Sequence, residues 1–343
     1  MLQKSLATKV MRHKLFLDIY TFQLKEILSI EQSNGKRRKI KTKDEICDFS
    51  SFYTKVVTHD SKNKKPVEII FEKLLRYFDD SFRFSKTGTK AVSITSDRNS
   101  VSNENCTISG VFKGGITGIK RNVYYGSDSR KYKTEIEETD VTADEYFFML
   151  WIPKDSNAGF LFVQSYKDIS CSIPFRDCVS EFFIKENYKP LWIKFILKSY
   201  VNDIMKYGLL NKIKIVKAEK TNKKLADSDF EPFKECRQTC IIDNISFPLR
   251  KLLLNLNQLK TGIGGIVSDY NAEEDSVTLF YKDHKGNNVQ ATFEDLEAIV
   301  PKMELDESLL NNGQPNWEGI RSSVVEILKQ IKQEIGYTPK EIT

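Results

Sequence analysis

The sequence predicts an α+β protein of mixed, mostly antiparallel sheets with flanking helices, organised as two domains. Three observations predict it. Strand-length apolar runs flank turn residues at two places, and other apolar residues recur at helical spacing behind prolines. At 343 residues the chain also exceeds one ordinary core, and one domain per roughly 150 residues gives two. With 40% hydrophobic and 29% charged residues, it falls outside the low-hydrophobicity class that stays disordered. The expected division is residues 1–226, an α+β domain ending in a basic helix–strand segment, and residues 227–343, a smaller acidic α+β domain with a hairpin and a C-terminal helix.

In chain order, Phe16, Leu17, Ile19, Tyr20 and Phe22 mark an opening strand within residues 14–30 that runs into a turn or helix. Residues 33–39 read as an exposed basic turn. Behind Pro66, the spacing of Ile69, Ile70, Leu74, Leu75 and Phe78 predicts a helix. Residues 93–105, rich in Ser and Asn, read as a surface loop. The apolar runs 146–152 and 160–166 flank a turn-rich segment from Pro153 to Gly159 and predict a hairpin with a long loop. Pro174 then opens a helix carrying Phe175, Cys178, Val179, Phe182 and Phe183. Pro190 opens another over residues 192–207, stopped by Gly208. The alternation at 213–217 predicts a strand, and 219–229 a charged linker. Residues 277–282 and 289–293 form a second hairpin, and Ile320, Val324, Ile327, Leu328 and Ile331 stripe a final helix.

No apolar run approaches the length of a membrane span, and the first residues lack the apolar core and cleavage site of a secretory signal. The six cysteines (Cys47, Cys106, Cys171, Cys178, Cys236, Cys240) are dispersed, unlike a disulfide framework. A cytoplasmic protein with free thiols is expected.

No catalytic constellation stands out, so a non-enzymatic role without cofactor or metal is expected. His13, His59 and His284 each lack a sequence neighbour suited to metal or nucleophile chemistry. Cys236 and Cys240 lack the second pair that a zinc site needs, and buried structural thiols are the expectation. Gly114, Gly115 and Gly118, and Gly262, Gly264 and Gly265, occur without a complete phosphate-binding motif and read as turns or bulges. Glu274 and Asp275 with Lys282 imitate the two carboxylates and lysine of a metal-dependent nuclease; an exposed hairpin rim is the competing reading.

The strongest signal is charge. Residues 185–226 hold eleven lysines against three acidic residues, whereas residues 227–343 hold twelve basic against twenty acidic ones. A basic segment of this density attracts polyanions, and counterion release gives affinity without sequence choice. Lys194, Lys198, Lys206, Lys212, Lys214 and Lys217 are the candidate phosphate contacts, with Lys194 and Lys198 sharing one face of the Pro190 helix. Tyr200 and Tyr207 could stack on bases if exposed. The plain alternative is a solvated lysine face.

The run Phe147-Phe148-Met149-Leu150-Trp151-Ile152 and the Phe160-Leu161-Phe162-Val163 strand, followed by the Phe-rich helix at 175–183, resemble bacterial phage-defence proteins of the RexA-type phage-exclusion family. The hairpin at 277–293 and final helix at 322–335 match in outline. The resemblance implies a dimeric, sequence-tolerant DNA-binding protein, DNA being expected over RNA, that senses phage replication or recombination intermediates and triggers a partner effector. It carries over no catalytic residue. A metal-dependent nuclease effector, or an interaction subunit whose acidic C-terminal third docks on a basic partner, are the alternatives.

Overall fold

A computed structural model describes residues 14–31, 39–56, 64–94, 98–125, 128–166, 170–217, 239–249, 275–282, 288–292, 303–311 and 314–338. In chain order the elements are β1 (Leu15–Glu31), β2 (Lys39–Thr42), α1 (Phe49–Val56), α2 (Pro66–Phe78), β3 (Arg83–Phe84), β4 (Lys90–Ile94), β5 (Ser100–Ser102) and β6 (Thr107–Ile116). Next come β7 (Arg121–Tyr125), β8 (Asp128–Ile136), β9 (Thr142–Trp151), β10 (Gly159–Tyr166), α3 (Ser172–Lys185), β11 (Tyr188–Lys194), α4 (Lys198–Tyr207) and β12 (Leu209–Val216). Then follow β13 (Thr239–Ile242), β14 (Phe247–Pro248), β15 (Ser276–Lys282), β16 (Asn288–Thr292), β17 (Met303–Glu304), β18 (Leu310–Asn311), β19 (Gln314–Pro315) and α5 (Trp317–Glu334). The class is α+β with antiparallel sheets and flanking helices, as the sequence predicts.

The chain divides into two compact units: Met1–Phe195 with Met303–Thr343, and Ile196–Lys302. The division therefore does not fall at residue 226. Sheet pairing is the reason: β12 lies before that position and pairs with β13 and β15 beyond it, while β17 returns to pair with β1.

In unit 1, the path β11-β1-β10-β9-β6-β4-β3 forms one sheet, with β2 and β17 also on β1 and β5 on β6. Side chains alternate between its faces. Tyr20, Phe22, Leu24, Ile108, Phe112, Phe148, Leu150, Leu161 and Val163 share one apolar core with Phe52 of α1, Ile70 and Leu74 of α2 and Phe175 and Phe182 of α3. The rings of Phe112 and Phe175 stack with centroids 4.1 Å apart, and each such fully buried side chain contributes about 1.5–3 kcal/mol. Leu17, Ile19, Phe147, Met149, Trp151, Phe160 and Phe162 have the opposite parity and are also buried. On that side α5 packs against β9 and buries Ile320, Val324, Leu328 and Ile331.

The local signals hold at α2 and α5. Pro66 opens α2, and Asp79, left-handed at φ 52°, closes it by donating its N–H to Leu75 O at 2.9 Å. Asn316 caps α5, its side chain accepting from Gly319 N at 3.1 Å.

Three segments differ from expectation. β1 neither turns nor becomes helical between Phe22 and Ile30: it stays extended for 17 residues because β10, β11 and β2 pair along it in succession, with a register shift between Ile27 and Ser29. Within 93–105, β4 continues to Ile94 and Ser100–Ser102 pair with β6, so pairing overrides the low strand propensity of serine. No helix starts at Pro190, which lies in β11 opposite Leu24. β11 ends the main strand path, and a sheet edge tolerates a residue without an N–H.

Unit 2 holds a sheet in the order β13-β12-β15-β16, with β14 also on β12. Ile213, Ile215, Val277, Leu279 and Tyr281 are buried, and the residues between them are half-buried or exposed.

Candidate nucleic-acid interface

Period-two alternation sorts the side chains of unit 2 chemically. Because Ile213 and Ile215 face inward, Lys212 and Lys214 fall on the open face. In register, Lys212 lies opposite Phe280 and Lys214 opposite Thr278 on β15, while Lys214 lies opposite Ile241 on β13. Ile241 is 58% exposed, and Phe280 is half-buried beside Gln290 of β16. Lys282 has the parity of Phe280 and is exposed.

The Lys212 ammonium lies 5.5 Å from the centroid of the Phe280 ring and 3.8 Å from the exposed Asp243 carboxylate. A strand rise of about 3.3 Å sets Lys212 and Lys214 about 7 Å apart. The face thus offers two spaced cations, a third at Lys282, and one aromatic ring. Cations can neutralise phosphates, and an aromatic face can stack on a base.

The six lysines singled out by charge do not form one patch on a helix. Lys194 ends β11 and belongs to unit 1, whereas Lys198 opens α4 in unit 2, so the shared helix face expected for the pair is absent. The Lys194 ammonium is 3.7 Å from Asp18, a carboxylate only 2% exposed, which Ser165 Oγ also approaches as donor at 3.4 Å. Its charge offsets a buried acid. Lys206, at the end of α4, lies 5.0 Å from the ring of Tyr207, which is 56% exposed. Tyr200 is buried and is core rather than a stacking surface. Lys217 directly follows β12.

The nuclease imitation is not brought together on one surface. Asp275 is buried, with the parity of Val277, and Lys282 is exposed at the far end of β15; their odd separation places them on opposite sides of the strand. Glu274 lies outside the described residues, as do His13, His59, His284, Cys236, Gly262, Gly264 and Gly265, residues 33–38 of the expected basic turn and the charged linker at 219–229, whereas Lys39 opens β2. Among the described residues, no three His, Cys, Asp or Glu side chains converge as a metal-binding group. Free thiols are found at Cys47, Cys106, Cys171, Cys178 and Cys240, with Cys171 and Cys178 buried. Among the described residues no helix is long and apolar enough to cross a membrane.

The first glycine group is neither a turn nor a phosphate cradle at two of its positions. Gly114 and Gly115 lie within β6, where a Cβ on Gly115 would sit 2.0 Å from Thr142 O and one on Gly114 2.8 Å from Cys171 Cβ. They permit close approach of neighbouring chain segments. Gly118, with φ +82°, is the member that makes a turn.

Sequence reasoning missed Phe280, although its parity with Thr278 and Lys282, against Val277, Leu279 and Tyr281, was visible. Compared with protein-family models, curated proteins and solved structures, the chain finds no match.

Proposed function

We propose that the protein binds nucleic acid with little regard to base sequence, and that the open face of the unit 2 sheet is a contact surface. The observation that carries this reading is the juxtaposition of Lys212 with Phe280, and of Lys214 with Thr278, on one accessible sheet face. Cations beside an aromatic ring suit a phosphodiester chain bearing stackable bases, and neither feature discriminates among bases. We further propose anti-phage defence as the setting and DNA as the ligand, with a homodimer signalling to an effector. The support for these is the resemblance of residues 147–163 and 175–183 to phage-exclusion proteins.

Gel-shift titrations of the full chain with DNA and RNA at increasing salt, with and without Mg²⁺, test the reading. Binding should weaken steeply with salt and vary little with base sequence, because released counterions dominate phosphate contacts. Salt-independent binding, or binding confined to one sequence, contradicts it. Loss of the intact oligonucleotide upon adding Mg²⁺ would identify a nuclease instead.

A further inference from the structure

The hairpin of β7 and β8 in unit 1 is absorbed by none of the roles above. Its strands pair with each other and with no other described strand, in a register from Arg121 opposite Ile136 to Tyr125 opposite Asp128. Arg121, Asn122, Tyr124 and residues 131–135 are exposed. A lone two-stranded ribbon is marginal in water. Here Tyr124 and Tyr132 meet edge to face across it, centroids 6.2 Å apart at 83°, and Lys120 bonds Glu135 at 2.7 Å near its base. Both contacts stiffen the ribbon.

Charge is sorted along it. Residues 122–134 contain Arg130, Lys131 and Lys133 against Asp128 alone, while Arg121 lies at the base opposite Ile136, where Glu135, Glu137, Glu138 and Asp140 follow. The outer part is basic and the base acidic. Strands about 4.8 Å apart make a ribbon narrow enough for the major groove of B-DNA, roughly 12 Å wide, which admits a two-stranded β-ribbon as it admits a helix.

We infer that this hairpin is a separate nucleic-acid contact whose ligand is duplex DNA, gripped at the groove by the basic outer part of the ribbon. The inference rests on the nucleic-acid reading above and adds the class of ligand. Accessible side chains around a narrow, basic ribbon fit a groove flanked by phosphates. The edge-to-face tyrosine pair already covers part of one ring, which disfavours single-strand stacking as the main contact.

The test compares full-length wild type with the double variant Lys131→Glu/Lys133→Glu, measuring anisotropy of a labelled duplex and of one of its strands alone across a salt series. Circular dichroism checks the fold. The variant should lose duplex affinity on the order of tenfold, with a log–log salt slope shallower by about two, and should keep its single-strand affinity. Unchanged duplex affinity and slope, in a protein whose wild type binds duplex, overturn the inference alone. Equal losses on both ligands overturn the duplex assignment. A wild type that binds neither ligand overturns the inference together with the reading beneath it. Because charge reversal can unfold a marginal ribbon, Tyr132→p-benzoylphenylalanine supplies a second readout: ultraviolet cross-linking to saturating duplex is expected, and its absence contradicts the inference.

Discussion

Burial sets the acid chemistry of the unit 1 core. It pushes the Tyr188 phenol from its ordinary 10.0 up to about 12, as it does those of Tyr77 and Tyr166, and the Cys178 thiol from 9.0 to about 12. Each group is neutral when protonated, so the folded state holds its proton at pH values where the unfolded chain has released it. The contribution of these groups to stability should therefore be flat below about pH 9 and fall progressively toward pH 12. The Tyr188 oxygen is buried without a protein hydrogen-bond partner, so Tyr188→Phe removes an unsatisfied group from the core. Urea denaturation from pH 7 to pH 11 should show the variant as stable as wild type or more so at pH 7, with a shallower alkaline decline. A marked loss of stability at pH 7 would show that the hydroxyl makes a necessary contact. Lys194 is the residue-scale lesson for the site: charge density singled it out, but its counter-ion Asp18 is 176 positions earlier in sequence and becomes a neighbour only when β11 pairs with β1.

At the scale of elements, residues whose role depends on local periodicity were the legible ones. The helical spacing after Pro66, the apolar runs of β9 and β10, and the alternation that exposes Lys212 and Lys214 were all readable. Pro190 was not, because a proline that suits a helix start equally suits an edge strand, and β1 decides between them. Nor was the β7–β8 hairpin, whose strands carry little apolar alternation because neither lies on the main sheet. Gly115 illustrates the same dependence on tertiary pairing. Gly115→Ala would press a methyl group into the Thr142 carbonyl of the neighbouring strand, where backbone cannot yield as a side-chain tip can. Denaturant unfolding should report a loss of about 1–3 kcal/mol; wild-type stability would mean that β6 and β9 approach less closely than described.

At the scale of the molecule, the basic excess that the sequence places in one segment is divided between two units: Lys194 remains with unit 1, and Lys198, Lys206, Lys212, Lys214 and Lys217 belong to unit 2. On the open face of the unit 2 sheet Lys212 meets an aromatic ring and Lys214 follows it on the same side of β12, so the central claim concentrates on two of the six. The most direct measurement is nucleic-acid binding by full-length Lys212→Glu/Lys214→Glu against wild type, followed by anisotropy across a salt series, with matched circular dichroism and melting temperature. The aliphatic stems stay partly replaced and the inward-facing Ile213 and Ile215 are untouched, so the fold should survive. Affinity for single-stranded DNA should fall on the order of tenfold or more, and the log–log salt slope should become shallower by about two, one for each lost phosphate contact. A folded double variant with wild-type affinity and slope would contradict the account and return the open face of unit 2 to an ordinary solvated surface.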